Sequence, residues 1–237
     1  MSEKNQNRTS PLPSAEDKAR FVQEMFDSIS PRYDLVNRVM TFKMDQSWRR
    51  FGVDSLNLQR GSKILDVACG TGDFVKILKK MNYEVVGIDF SIGMLSHANI
   101  DGLAQGDAMS MPFAEGSFDG LTCGFALRNF ADLGIVFDEF SRVLRPGGRL
   151  CLVEVSRPTN GFIKFGHGLY FDRIVPRVGA LLSSSEPYKY LPASTAYLPD
   201  EAKLRAMLLS SGFEGVNFKY FLGKSSQVIT ATRSAAL

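Results

Sequence analysis

The stretch Asp66-Val67-Ala68-Cys69-Gly70-Thr71-Gly72 sets two glycines between a short apolar run, Lys63 to Ala68, and a helical pattern of Phe74, Val75, Ile77 and Leu78. Glycine removes side chains where a backbone must turn sharply and come close to a ligand. A dinucleotide fingerprint adds a third glycine at the start of the helix, beside the pyrophosphate. That position is Val75 here, and no charged phosphate ligand stands nearby. A second apolar run, Glu84 to Asp89, ends on an acid whose carboxylate can accept both hydroxyls of a ribose, with Phe90 next to it. Gly106-Asp107-Ala108 follows a third run, Leu103 to Gln105, where a carboxylate or backbone group can meet an adenine edge. Asp89 or Asp107 taken singly also reads, as the less favoured alternative, as a solvated strand end. In this order, Asp66, Gly70, Gly72, Asp89 and Asp107 describe a nucleoside site, and S-adenosylmethionine is a nucleoside that carries a sulfonium.

Such a site needs strands to carry the acids and helices to space them. Short apolar runs at Lys63 to Ala68, Glu84 to Asp89, Leu103 to Gln105, Phe118 to Gly124 and Arg149 to Val155 alternate with helical patterns, notably Leu133 to Leu144. That alternation predicts a parallel, doubly wound α/β sheet. Pro146-Gly147-Gly148 is expected to turn the chain from that helix into the strand after it. Val216 to Phe221 and Gln227 to Thr232 read as a closing antiparallel pair, preceded by a helix over Pro199 to Ser211. Upstream, Phe21, Val22, Met25, Phe26 and Ile29 recur at helical spacing, with Ser14 as a candidate cap and Pro31 as the stop. A further helix is expected over Asp45 to Leu56. The segment 157–198 is rich in aromatics and proline without a clean strand period, and reads as a cap over the site.

Composition limits the alternatives. The chain has 237 residues, 44% hydrophobic and 22% charged, which suits one globular domain over 16–237, with N-terminal helices inside 16–60. Residues 1–15 are polar, lack a signal-peptide core and read as a disordered lead-in. A net charge of +3 is too mild for nucleic acid. No stretch approaches the roughly 20 apolar residues of a membrane span. Three scattered cysteines without Cys-x-x-Cys spacing fit a reducing cytoplasm, with no disulfide framework and no metal site.

From about Phe26 to the C-terminus the chain resembles the ubiquinone/menaquinone biosynthesis C-methyltransferase family. Leu65 to Asp73 matches that family's cofactor loop, and Arg142 to Ser156 fits its second signature throughout. Phe125-Ala126-Leu127-Arg128-Asn129 resembles its F-G-L-R-N segment, and Tyr188 to Ser194 its Y-x-Y-L-x-x-S segment. In the first signature Tyr33-Asp34, Asn37 and Trp48 match, whereas Val36, Thr41 and Asp45 stand where Met, Ser and His are usual. Gly124 replaces a serine that contacts the cofactor in relatives, and Ala126 replaces a glycine. The resemblance implies a Rossmann-like class I methyltransferase with a mostly parallel seven-stranded sheet, helices on both faces and a cap insertion. It assigns Asp66, Gly70, Thr71, Gly72, Asp89, Phe90, Asp107, Ala108 and Gly124 to S-adenosylmethionine.

The implied reaction is methyl transfer to a ring carbon of a prenylated hydroquinone, by in-line displacement at the sulfonium. Positioning is then the protein's main task. Arg128 and Asn129 are the implied catalytic pair. Arginine stays protonated, so it would stabilise the oxyanion while Asn129 orients it; equally, the pair could tie down its loop. Tyr188 and Tyr190 either line a quinone pocket or pack, and Tyr33, counted with the substrate residues, is either a lid over the cofactor or a packing residue. His167 is either a base or a surface histidine, and Glu154 either faces the pocket or caps a turn. The short Asp89–Asp107 segment resembles menaquinone-only relatives, favouring demethylmenaquinol over the ubiquinone-precursor benzoquinol; a non-catalytic binding module is the third reading. Apolar residues of the cap offer either a tail groove touching the inner face of a membrane or an ordinary packed helix, and a homodimer would fit an exposed cap.

Overall fold

The computed structural model describes residues 17–41, 43–156, 190 and 193–235. The lead-in over 1–15, Ser14, His167, Tyr188 and nearly all of the 157–198 cap lie outside the described residues.

Seven strands form one sheet: β1 (Lys63–Val67), β2 (Glu84–Asp89), β3 (Leu103–Gln105), β4 (Phe118–Gly124), β5 (Leu144–Val155), β6 (Phe213–Phe221) and β7 (Ser226–Arg233). Their spatial order is β3-β2-β1-β4-β5-β7-β6. All pairings among β1 to β5 are parallel, and β7 runs antiparallel to both β5 and β6. The chain winds outward from β1 to β2 and β3, then returns to the other side for β4. The crevice at the carboxyl ends of β1 and β4 is therefore the topological switch point, where ligands bind in such sheets.

Adjacent residues of a strand point to opposite faces, and both faces here are covered. Ile64, Cys151, Val153 and Val228 pack with Trp48, Val53 and Leu56 of α3 (Met44–Leu56) and with Phe74 and Leu78 of α4 (Asp73–Lys80). Their neighbours Leu65, Leu150, Leu152 and Ile229 face the other way, onto Phe137 and Phe140 of α6 (Leu133–Val143) and Leu204 and Leu208 of α7 (Glu201–Ser210). Two apolar faces explain why these strands read as unbroken hydrophobic runs. Further helices among the described residues are α1 (Lys18–Ile29), α2 (Tyr33–Met40) and α5 (Ile92–Ala98).

Side-chain caps start three of the helices. Ser91 Oγ accepts from Met94 N before α5, Asp200 Oδ1 from Lys203 N before α7, and Asp132 Oδ1 from Gly134 N and Ile135 N before α6. Asp132→Ala is expected to lower stability by ~1 kcal/mol, read as a shifted urea midpoint at unchanged slope.

The N-terminal helix stops at Ile29, before Pro31, as expected; Pro31 sits in a 3₁₀ turn, Ser30–Arg32, that leads straight into α2. Proline lacks only a donor that a helix start leaves unused, so it ends one helix and begins the next turn. The structure departs from the sequence pattern in one instructive place: Pro146-Gly147-Gly148 is not a turn before the strand, because β5 already begins at Leu144. Leu144 lies opposite Phe118 and Arg149 opposite Gly120, so the residues between bulge from the ladder, with Gly147 at φ +75°.

Candidate cofactor and active site

β1 delivers the chain into the glycine loop at the switch point. Gly72, at φ +82°, is the residue before α4, and a Cβ there would stand 2.5 Å from the Ile100 side chain. Gly70, at φ +55°, differs: a Cβ would meet nothing within 4 Å and would project into open space. That space belongs to an open cleft that Gly70 lines together with Val67 and Ala68.

β2 ends on Asp89 at the cleft wall. Its Oδ2 accepts from Gly70 N at 2.7 Å and its Oδ1 from Ser91 N at 2.8 Å. Two backbone donors thus lock the carboxylate against the glycine loop. Burial pushes its pKa above the ordinary range and the Asp27 charge adds to this, while the backbone bonds oppose it. Phe90, Asp107, Ala108 and Gly124 line the same cleft. Asp107 Oδ1 accepts from Met109 N at 2.9 Å, which fixes the loop after β3.

Three of the sequence-derived cofactor residues stand behind the wall. Asp66 is 1% exposed; its Oδ1 accepts from Thr122 Oγ1 at 2.7 Å, and among the described residues its Oδ2 has no hydrogen-bond partner. Burial raises its pKa to about 7, against the opposing Thr122 bond and Arg49 charge. Thr71 Oγ1 donates to Asp34 Oδ1 and so fastens the loop to α2. Gly72 serves the turn itself.

The raised Asp66 pKa has a sign that can be checked. Between about 4 and 7 the folded protein holds a proton that the unfolded chain has released. This contribution to stability is complete at low pH and is lost as pH rises through 7. Relative to Asp66→Asn, the ligand-free wild type is expected to lose stability across that window, by on the order of a few kcal/mol. Parallel urea melts of the two proteins from pH 5 to 8 measure the difference; parallel curves would disprove it.

The opposite bank of the cleft comes from α1, through Ala19, Val22, Gln23 and Phe26, together with Tyr33. The periodicity showed an amphipathic helix without showing what its apolar stripe covers. Asp27 Oδ1 accepts from Ser91 Oγ and from Gly93 N at 2.9 Å, and Gln23 donates to the Phe90 carbonyl at 3.1 Å. At the other end Lys18 donates to the Phe130 carbonyl at 2.7 Å and lies over the Tyr197 ring. The one sequence clue is Gly93, where a Cβ would stand 2.8 Å from the Asp27 backbone. Desolvation raises the Tyr33 pKa, opposed by its bond with Asn37 and by the charges of Arg49 and Arg128.

Arg128 and Asn129 occupy a 3₁₀ turn, Leu127–Asn129, after β4. Asn129 lines the cleft, whereas Arg128 is not among the lining residues. Arg128 Nη1 pairs with Glu154 Oε1 and donates to the Phe125 carbonyl at 2.9 Å, while Nε donates to Ser194 Oγ at 3.1 Å. These contacts are those of a loop tie. Tyr190 is 1% exposed; its hydroxyl donates to Asn129 Oδ1 at 3.3 Å and its ring lies 5.4 Å from that of Phe21. Burial pushes its phenol up to about 12.

Comparison with known proteins shows the family and the fold. The model of the ubiE/COQ5 methyltransferase family matches residues 14–232. A demethylmenaquinone methyltransferase of Deinococcus radiodurans is 42% identical over 214 residues, covering 86% of this chain and 89% of the relative. A ubiquinone/menaquinone biosynthesis C-methyltransferase of Geotalea daltonii is 37% identical over 211 residues, covering 84% and 90%. Among solved structures, an S-adenosylmethionine-dependent methyltransferase of Thermotoga maritima superposes with a TM-score of 0.65 at 18% identity, covering 90% of this chain and 100% of that one. A phosphoethanolamine N-methyltransferase of Haemonchus contortus in complex with S-adenosylmethionine gives 0.57 at 14%, covering 77% and 51%. At those identities the solved structures speak to the fold, and the sequence relatives settle the rest: the chain belongs to the ubiE/COQ5 methyltransferase family.

Proposed function

We propose that this chain methylates a ring carbon of demethylmenaquinol to give menaquinol: the S–CH₃ bond of S-adenosylmethionine breaks as the new C–C bond forms, S-adenosylhomocysteine leaves, and the displaced ring proton passes to solvent. The observation that carries the reading is the likeness to demethylmenaquinone methyltransferases of Deinococcus radiodurans and Thermus thermophilus, at 42% and 41% identity over about nine-tenths of each. The cleft suits the donor on its own evidence. Gly70 leaves open the space that a Cβ would fill, and Asp89 stands beside it with both oxygens pinned and facing the same cleft.

The cofactor supplies an electrophilic methyl on sulfur, so the chain's work is to bind, align and exclude water. Asp89 takes the ribose hydroxyls, and Phe90, Asp107 and Ala108 enclose the base. Ala19, Val22, Phe26 and Phe130 give the cleft an apolar wall for a hydrophobic ring. Asn129, held by Tyr190 and facing the cleft, orients the hydroquinone oxygen, and Arg128 sets the turn that presents Asn129. Tyr33, Tyr188, Tyr190 and His167 are the proposed ring-side residues. Among the described residues no helix is long and apolar enough to cross a membrane; the prenyl tail reaches the site from the inner membrane face through peripheral contact.

The test offers the purified protein S-adenosylmethionine with short-tailed demethylmenaquinol or the ubiquinone-precursor benzoquinol, and mass spectrometry follows the added methyl. Methylation of the naphthoquinol is the expected result. Methylation of the benzoquinol alone would overturn the substrate assignment, and cofactor binding without any methyl transfer would overturn the enzymatic one.

A further inference from the structure

Arg49 projects from α3 into the region between the glycine loop and β4, and is 6% exposed. A guanidinium carries five N–H donors, and buried donors are nearly always satisfied. Among the described residues Arg49 forms no hydrogen bond, and its Nε is fully buried without a partner. The nearest carboxylates, Asp73 and Asp45, stand 3.8 and 4.0 Å from Nε. Both are engaged elsewhere: Asp73 by Arg38 and Gln46, Asp45 by Thr41 and Gln46. What holds Arg49 is a pair of aromatic faces, Phe74 at 5.1 Å and Phe125 at 4.9 Å. Such contacts orient a guanidinium without using its N–H groups.

The far end of the side chain meets the cleft wall. A Cβ on Gly124 would stand 2.6 Å from Arg49 Nη1 and 2.9 Å from the Phe74 ring. Gly124 lines the cleft, so its missing side chain is what lets the guanidinium reach that wall. Arg49 also lies close enough to Asp66 and Tyr33 for its charge to lower both their pKa values. A clamped, buried, unbonded guanidinium at the edge of a ligand cleft is a receptor for a planar anion, and a carboxylate can take two of its donors at once.

We propose that Arg49 anchors the α-carboxylate on the amino-acid arm of S-adenosylmethionine, with Gly124 kept small to admit it; this rests on the cofactor reading above. The carboxylate is the donor's one anionic group. Asp89 holds the ribose end at β2, and Arg49 holds the opposite end near β4, so the sulfonium between them is fixed at two points. The glycine at 124 and the arginine at 49 thus act as a matched pair.

The experiment compares two nucleosides by isothermal titration: S-adenosylhomocysteine and its decarboxylated analogue S-adenosyl-3-thiopropylamine, which keeps the amine. Wild type is expected to prefer the carboxylate by about tenfold or more, as for a charge-assisted pair. In Arg49→Met that preference is expected to vanish, with the analogue's affinity within about twofold of wild type. Equal weakening of both ligands, or no change in either, would overturn the carboxylate role while leaving the cofactor reading intact. Failure of wild type to bind either nucleoside would instead remove the cofactor reading, and this inference with it. Should circular dichroism show that Arg49→Met does not fold, Arg49→Lys takes its place. It keeps the charge without the planar fork, so it must lose preference selectively, and an unchanged ratio overturns the proposal.

Discussion

Asp89→Ala is expected to weaken S-adenosylhomocysteine binding by roughly 100-fold or more. Two ribose hydroxyls donating to one ionised acceptor are worth about 1.5 to 3 kcal/mol each, and each 1.4 kcal/mol is a factor of ten. The loss has a second source. Gly70 N and Ser91 N both donate to this carboxylate, so alanine leaves two backbone donors unpaired beside the ligand and frees the glycine loop from β2. Asp89→Asn is not a gentle substitute. Its amide offers one acceptor oxygen to two fixed N–H donors, and its NH₂ must oppose one of them. The asparagine variant is therefore expected to lose at least about tenfold in affinity. Titration calorimetry with the three proteins decides the matter, and an unchanged affinity in either variant would remove Asp89 from the ribose site.

What the chain's order revealed and what it hid follow from the range of each interaction. Gly70 and Asp89 were legible because a strand end, a tight turn and the next strand end are local features with fixed composition. The alternation of apolar runs exposed the sheet for the same reason, down to the closing antiparallel pair. Asp66 shows the limit: its place beside the loop was legible, but only the fold reveals that its carboxylate turns inward to Thr122, from the neighbouring strand. The α1 bank of the cleft depends on Asp27 meeting Ser91 and Gly93, residues far along the chain, and a helical stripe of apolar residues does not say which surface it will cover. Arg49 could not be singled out at all. One more arginine on an amphipathic helix carries no signal until Phe74, Phe125 and the bare Gly124 are seen around it.

The Arg128–Glu154 pair yields the largest expected effect on the folded state. Glu154 is fully buried at the end of β5, and besides Arg128 its Oε1 accepts from Val155 N, while among the described residues its Oε2 has no partner. Removing either member strands a buried charge, so Arg128→Met and Glu154→Leu are each expected to cost about 3 to 5 kcal/mol. The double variant leaves no charge to strand, and its cost should fall well short of the sum, with a coupling of about 1 to 3 kcal/mol from the urea melts. Activity should follow a different rule. Arg128 also holds the Phe125 carbonyl and Ser194, and the Asn129 next to it faces the cleft. A double variant that recovers stability therefore still lacks the tie that presents Asn129, and its turnover should stay depressed at saturating donor. Full recovery of turnover along with stability would mean that the pair serves the fold alone. Additive single losses would mean that the two charges are not coupled, and the buried pair would then owe its place to the contacts each residue makes on its own.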